Sequence, residues 1–240
     1  MHRINRILSL AGVLSRRKAD ELILSGRVTL NGLVIREPGA RGLWGVDDIR
    51  VDGSEIPGPA PRVSLMLNKP FGYLCAMKDP AGRPVVTDLL KDLPVRVYPV
   101  GRLDFDSLGL LLFTNDGDLS FRLTHPGYHI PKTYKLTVDG DVPEQVLTAL
   151  RKGIHLGDGF TGPAKAGLIL KAGGRSIVRL TITQGRNRMV RRMMKALGHD
   201  TIHLIRTGFG GLELGNLRVG EYRYLEPDEV SGLRKVVRLE

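Results

Sequence analysis

The chain has 240 residues, 42% hydrophobic and 25% charged, a composition typical of globular proteins and unlike that of disordered or fibrous chains. Its formal charge of +11 favours polyanionic partners, nucleic acid above all. The one cysteine, Cys75, excludes an internal disulfide and a cysteine-based zinc site. No apolar run reaches the roughly 20 residues of a membrane span and no signal-peptide pattern is present, so we expect a cytoplasmic protein without membrane contact.

The chain opens with a pattern typical of two short helices. Ile4, Ile7 and Leu8 fall on one face of the first helix, and a glycine follows it. Ser15 is a favourable N-cap for the second helix, which ends near Gly26.

A hairpin and a further strand follow the helices. Asn31-Gly32 predicts a type I′ turn within a hairpin at 27–35, and residues 49–51 read as a strand. Three prolines in 56–62 indicate a linker. The predicted organisation is an RNA-binding module at 1–58, a linker at 59–63 and a catalytic domain at 64–240.

Several basic residues of the first module lie off its apolar helical faces, so the two helices would present one basic surface. A solvated charged face is the alternative interpretation. The residues proposed to contact RNA here are Arg16, Arg17, Lys18 and Arg27.

The second domain mixes extended and helical segments. Strands are predicted at 65–67, 97–100, 110–113, 133–138 and 177–182. Helices are predicted at 118–123, 143–151 and 187–197. This mixture predicts an α+β fold: a small N-terminal α/β module followed by a larger domain around a mixed, mainly antiparallel sheet.

The helix predicted at 187–197 has one apolar and one basic face. Residues 171–206 carry nine basic residues against one acid. Arg191 lies at the border of the two faces, where its guanidinium could be held partly buried beside a carboxylate. For Arg188 and Arg192 a solvated face is an equally good interpretation.

Four aspartates at 101–119 are candidates for catalysis, because polar turns beside buried strands often hold catalytic side chains. Asp116 and Asp118 are explained by a turn and a helix N-cap. Asp104 and Asp106 remain, and the residue pattern alone does not choose between them.

Tyr134 shares one face of its predicted strand with Leu136 and Val138, so its phenol should point inward. It is either an ordinary core residue or a stacking surface for an extruded base.

Metal and nucleotide chemistry find no support in the sequence. The six histidines show no metal-ligand spacing, there is no Walker loop, and the glycines at 208–211 lack the context of a dinucleotide fingerprint. We expect no metal and no cofactor.

GRLDFDSLGLLLFTNDG at 101–117 closely resembles the signature of the ribosomal pseudouridine synthases of RsuA/RluB type. KTYKLTV at 132–138 and GRNRMVRRM at 185–193 resemble the second and third motifs of that family, in the same order. SRRKADELILSGRVTLNG at 15–32 resembles the small RNA-binding module of ribosomal-protein-S-four type that commonly precedes this catalytic domain.

The resemblance implies roles for particular residues. Asp104 would attack or deprotonate the target nucleoside, Tyr134 would stack on the uracil, and Arg191 would pair with Asp104. Arg102 looks like the arginine that helps displace the target base. Two positions depart from the family pattern, with Gln184 in place of glutamate and Met189 in place of glutamine or another polar residue.

The expected activity is therefore isomerisation of a uridine in ribosomal RNA, with the large subunit preferred over the small one. The partner would be ribosomal RNA or an assembling subunit, bound by a monomer. A non-catalytic ribosome-assembly factor and an RNA methyltransferase are the alternatives; the first leaves Asp104 without a use, and the second lacks a cofactor loop. Further RNA contacts are expected from Arg186, Arg188, Arg192 and Lys195.

Overall fold

The computed structural model describes residues 1–90 and 92–239 and divides into two compact units. The first unit is Met1–Val63 together with Leu93–Arg96, and the second contains the other described residues from Ser64 onward. Helices and sheets occur in both, which confirms the predicted α+β class. Within these residues no helix is long and apolar enough to cross a membrane.

The first unit contains two helices and two small sheets. The helices are α1 (Ile4–Leu10) and α2 (Arg16–Leu24). Strand β1 (His2–Arg3) pairs with β4 (Arg41–Gly42), and a second sheet is formed by β2 (Val28–Leu30), β3 (Leu33–Ile35), β5 (Ile49–Val51) and β6 (Ser54–Glu55). The strands of the second sheet lie in the order β3-β2-β5-β6.

The predicted local signals of the first unit are confirmed. Ser15 caps α2, its hydroxyl accepting a hydrogen bond from the Lys18 amide at 3.2 Å. Asn31 and Gly32 have φ angles of +50° and +80°, as the tight turn between β2 and β3 requires. The apolar residues of both helices pack with Val28 and Ile49 in one core.

The second unit is built on a nine-stranded sheet. Its strands are β7 (Ser64–Lys69), β8 (Tyr98–Val100), β9 (Leu108–Thr114), β10 (Lys132–Asp139), β13 (Lys165–Ala172), β14 (Arg175–Ile182), β15 (Thr201–Phe209), β16 (Leu212–Glu213) and β17 (Tyr222–Tyr224). The main order is β13-β14-β10-β15-β9-β7-β17, with β16 beside β15 and β8 beside β9. A separate hairpin pairs β11 (His155–Leu156) with β12 (Gly159–Phe160).

Four helices complete the second unit: α3 (Gly117–Thr124), α4 (Glu144–Lys152), α5 (Met189–Ala196) and α6 (Pro227–Val236). Short 3-10 turns lie at Val86–Leu90 and Pro126–Tyr128. One core cluster joins residues of α3 and α6 to the buried side chains of β9 and to Phe209.

Strands β15 and β9 are parallel, whereas the other described pairs in this sheet are antiparallel. Gly109 opposes Arg206 in this pair and has a φ angle of +101°. A Cβ atom at position 109 would lie 2.3 Å from the Arg206 carbonyl oxygen, so the close approach requires glycine. The chain turn that precedes β9 is thereby held against β15.

Two predicted patterns are confirmed in the second unit. Tyr134, Leu136 and Val138 are buried on one face of β10. The apolar face of α5 is likewise buried. The sequence prediction missed the sheet strands β13, β15, β16 and β17, the β11–β12 hairpin and α6.

Candidate active site

A cavity of about 610 Å³ lies within the second unit. Its wall is formed by residues 74–76, by the turn at 101–105 and by the segment 185–190 that leads into α5. The polar side chains among its lining residues include Arg102, Asp104, Lys132, Tyr134, Arg188 and Arg206. The three sequence motifs therefore meet around one cavity.

Asp104 lies on the cavity wall in the turn before β9. Its main-chain oxygen accepts a hydrogen bond from the Ser107 amide at 3.0 Å, and the preceding Leu103 amide donates to Cys75 Sγ at 3.2 Å. The residue is half-buried, and its carboxylate forms no hydrogen bond or ion pair with any other described residue. A carboxylate in this position is available to a ligand.

Asp106 has the opposite surroundings, although it is only two residues away. Arg188 donates to both of its carboxylate oxygens, at 2.9 and 3.0 Å, and Arg191 Nη2 lies 3.3 Å from Oδ2. Burial opposes the charge, but the two guanidinium groups outweigh it and hold the pKa of Asp106 below its ordinary value. The structure thus distinguishes two aspartates that the residue pattern left equivalent.

Arg191 does not form the predicted ion pair with Asp104. Its guanidinium donates to the main-chain oxygens of Asp106 at 2.9 Å and Thr201 at 2.8 Å, and it pairs with the Asp106 carboxylate. The side chain is 12% exposed, and burial lowers the pKa of Arg191, while the charges of Asp106 and, more weakly, Asp104 raise it. Arg191 therefore fastens the backbone that carries Asp104 and acts on its carboxylate only from a distance.

Tyr134 and Arg102 both line the cavity, in different surroundings. Tyr134 is 8% exposed and lies on β10 between Leu180 of β14 and Arg206 of β15. Arg102 is exposed. One offers a buried aromatic surface, and the other a cation that is open to solvent.

The remaining basic residues near α5 differ in their contacts. Arg186 and Arg192 both pair with Asp158, at 3.0 and 2.8 Å, and Arg186 also donates to three main-chain oxygens at 158–160. These contacts hold the β11–β12 hairpin beside the start of α5. Lys195 is exposed.

The four basic candidates of the first unit also differ. Lys18 pairs with Glu21 at 2.7 Å, and Arg27 pairs with Asp52 at 2.5 Å. Arg16 and Arg17 are exposed at the start of α2, and neither forms an ion pair with another residue in the described part of the chain.

The sequence prediction missed Lys69, a lysine with a fully buried side chain at the end of β7. Its Nζ donates to the main-chain oxygens of Pro70, Phe105 and Ser107, at 3.0, 3.4 and 2.8 Å. Burial lowers the pKa of Lys69, while Cys75, Asp106 and Asp104 oppose this effect. The one feature of the sequence that could have indicated this buried lysine is its place at the end of the largely apolar strand SLMLNK.

Lys132 and Arg206 are further buried or half-buried cations in the cavity wall that were missed. Lys132 Nζ donates to the oxygens of Ile130 and Thr183, and Arg206 Nε donates to that of Leu110 at 2.7 Å. Burial, and then repulsion from Arg206, lower the pKa of Lys132 to about 8. These cations bind main-chain oxygens, so they leave the cavity with a positive field.

A metal centre finds no support in the geometry: across 1–90 and 92–239 no group of three or more histidine, cysteine or acidic side chains could hold an ion. The cavity instead combines an available carboxylate, an aromatic face and several cations.

Residues 63–196 match the family model described as RNA pseudouridylate synthase, and residues 3–41 match the S4 domain. The chain belongs to the RNA pseudouridylate synthase family. The synthase motifs recognised in the sequence lie within the first of these matches, and the RNA-binding module overlaps the second.

Relatives along the full length support the assignment to the synthases. The chain is 47% identical over 236 residues to ribosomal large subunit pseudouridine synthase B of Bacillus subtilis (strain 168), covering 98% of this chain and 96% of that protein. It is 36% identical over 253 residues to the protein of the same name from Shigella flexneri, covering 99% and 84%.

A solved structure described as a pseudouridylate synthase has the same fold, with a TM-score of 0.70 and 32% sequence identity. The match covers 97% of this chain and 100% of that one. Of the two departures from the family pattern, Met189 is buried at the base of α5 and lines the cavity of the synthase. Gln184 is half-buried, with its amide nitrogen near Gly162.

Proposed function

We propose that this synthase converts a specific uridine of large-subunit ribosomal RNA to pseudouridine, with Asp104 as the catalytic carboxylate. The two relatives named above, both ribosomal large subunit pseudouridine synthase B, support this choice of substrate. The observation that carries the assignment of Asp104 is its position on the cavity wall, where its carboxylate pairs with no other described residue, while Asp106 is bound by two arginines.

The reaction breaks the bond between C1′ of the ribose and N1 of uracil, turns the base and joins C1′ to C5. The hydrogen on C5 leaves to solvent and N1 gains a proton, so no group is transferred and no cofactor is consumed. Asp104 serves as the nucleophile at C1′ or as the base at C2′. Both routes need an ionised carboxylate with at least one oxygen that can reach the ribose.

The other residues of the cavity retain and orient the base. Tyr134 stacks on the uracil, and the cations around it stabilise negative charge on the detached base. Arg102 occupies the space that the extruded nucleotide leaves in the RNA. Arg191 acts through Asp106 by fixing the turn that carries Asp104.

We assign RNA binding to residues 1–58 and the chemistry to residues 64–240, joined by a linker at 59–63. Arg16 and Arg17 carry phosphate contacts in the first part, and Arg188 and Lys195 extend them in the second. The protein acts in the cytoplasm as a monomer, on ribosomal RNA or on an assembling subunit.

Asp104→Asn tests the proposal directly, because it preserves size and removes the charge. We expect a folded protein that binds RNA but releases no tritium from ribosomal RNA labelled at C5 of uridine. Mapping pseudouridine in ribosomal RNA from cells with and without the protein identifies the modified position.

Asp106→Asn is the matched control. It leaves Arg188 and Arg191 with weaker partners, so turnover should fall but remain measurable. Clear turnover by Asp104→Asn together with an inactive Asp106→Asn would reverse the assignment of the two aspartates.

A further inference from the structure

Two exposed phenylalanine rings lie together, one of them in the cavity wall, and neither takes part in the proposed chemistry. Phe71 is 61% exposed and Phe105 is 43% exposed. Their ring centroids are 6.0 Å apart and their planes are inclined by 58°. Phe105 directly follows Asp104 and lines the cavity. Exposed aromatic pairs beside a ligand cavity indicate a binding surface.

The backbone beneath the two rings is held firmly. The Gly72 amide donates to the Phe105 oxygen at 3.0 Å, and Lys69 Nζ donates to the oxygens of Pro70 and Phe105. Gly72 has a φ angle of +81°, and a Cβ atom there would lie 4.0 Å from Phe105 Cζ. Because the segments are tied together, the rings lose little freedom when a ligand covers them.

We propose that Phe71 and Phe105 form a stacking platform for the nucleobase next to the target uridine, in which one ring lies against the face of the base and the other, inclined to it by 58°, contacts its edge; this inference rests on the proposed function. Extruding the uridine from the RNA removes a stacking neighbour from the adjacent base. An aromatic face one residue from Asp104 replaces that neighbour just outside the cavity. Stacking of this kind accepts any base, since every base has a π face.

A nucleobase fits this surface better than an apolar protein partner. The platform is continuous with the cavity that receives the uridine, through Phe105 itself. Arg102, an exposed cation of the same wall, lies three residues before Phe105, so the surroundings of the platform attract a polyanion more than an apolar protein surface.

The test uses a ribosomal RNA fragment that the wild-type protein modifies. In separate fragments, each nucleotide on either side of the target uridine is replaced by an abasic ribonucleotide. Phe71→Leu and Phe105→Leu remove the aromatic faces and keep apolar side chains. Phe121→Leu is the matched control, because Phe121 is 59% exposed and does not line the cavity.

We expect one abasic position to lower kcat/KM of the wild type by about 10-fold, the range of a single base stack. Phe71→Leu and Phe105→Leu should lose a similar factor on the intact fragment and little more at that abasic position. Phe71→Trp should restore most of the rate, and Phe121→Leu should leave it unchanged. Two results would contradict the platform. In one, the loss in kcat/KM from the Leu variant multiplies with the loss from the abasic nucleotide at every position tested; in the other, the Leu variants are as active as the wild type.

A binding measurement separates this inference from the proposed reaction. Single-stranded RNA with 2-aminopurine beside a uridine reports stacking through quenching of its fluorescence. If the wild type modifies no ribosomal RNA, the proposed function fails, but quenching that disappears in the Leu variants still supports the platform. Equal quenching by the wild type and both variants contradicts it, whatever the outcome for turnover.

Discussion

The two basic regions of the chain use their charge in opposite ways. Arg16 and Arg17 in the first unit are exposed and form no ion pair within the described residues. Along 186–192 all four arginines pair with Asp106 or Asp158, so two aspartates neutralise half of their charge. Similar runs of arginine therefore differ in what they offer to RNA: the first presents exposed guanidinium groups, whereas those of the second are already held by aspartates.

Among variants that test this difference between the two regions, we expect Arg191→Ala to reduce turnover the most. Loss of its bonds to the Asp106 and Thr201 oxygens frees the turn that carries Asp104, and a displacement of about 1 Å can reduce the rate on the order of 100-fold. RNA affinity should change little. Single-turnover rates and equilibrium binding measured on the same RNA separate the two quantities.

Arg191→Lys is the control for the charge alone. A lysine keeps the charge but cannot donate to two carbonyl oxygens in the fixed geometry of a guanidinium, so it should not restore the rate. A variant that loses affinity and keeps its saturating rate would place Arg191 with the phosphate-binding residues instead.

The double variant Arg16→Ala, Arg17→Ala should have the next largest effect. Affinity for ribosomal RNA should fall about 10-fold, and the slope of log affinity against log salt should become shallower by roughly 1.4 to 1.8, the value for two phosphate contacts. The saturating rate should not change. A titration of RNA at several salt concentrations measures both; an unchanged slope would show that these arginines do not face RNA.

Asp158→Asn should give the second region arginines without an aspartate partner, as in the first region. It removes the carboxylate shared by Arg186 and Arg192 and leaves their two charges uncompensated, so RNA affinity should rise by a factor of about 2 to 5 at low salt, with a steeper salt dependence. The loss of stability should be below about 1 kcal/mol, because both ion pairs are partly exposed. Asp141→Asn makes the same change in charge at another exposed acid; an equal gain in affinity there would attribute the effect to net charge alone.

The smallest effect concerns Lys132, whose pKa of about 8 lies below the ordinary 10.5. Between these values the unfolded chain holds more protons than the folded one, so this lysine makes the free energy of unfolding rise as the pH increases from 8 to 10.5. Lys132→Met and Lys132→Arg should both remove that rise relative to the wild type. Denaturant unfolding at the two ends of this range measures it, and three parallel profiles would contradict the burial of the charge.

Local signals accounted for much of the fold. The cap at Ser15, the Asn31-Gly32 turn and the alternation around Tyr134 each depend on neighbouring residues, and each was predicted correctly. The strand β13 was missed because it lies at the sheet edge with both faces largely exposed, which leaves no clean alternation. Helix α6 has a single buried residue, Leu233, and so lacks a clear apolar stripe.

The site was less predictable than the fold because its contacts join distant segments. The bonds from Arg191 to Asp106 and from Arg188 to Asp106 span more than 80 residues of sequence. The sequence of a run of arginines does not show which aspartate each of them will pair with in the fold. The buried Lys69 likewise binds carbonyl oxygens, which leave no trace in the residue pattern.

The carboxylate of Asp104, which pairs with no other described residue, affects how the sequence of this protein can evolve. A charged group that finds its partner only when substrate binds favours activity, but it lowers the stability of the protein without substrate. Stability and activity therefore favour different residues at position 104. Asp104→Asn should melt at or above the temperature of the wild type while being inactive. Improvements in thermostability selected without an assay of turnover would therefore tend to remove the carboxylate to which we assign the reaction.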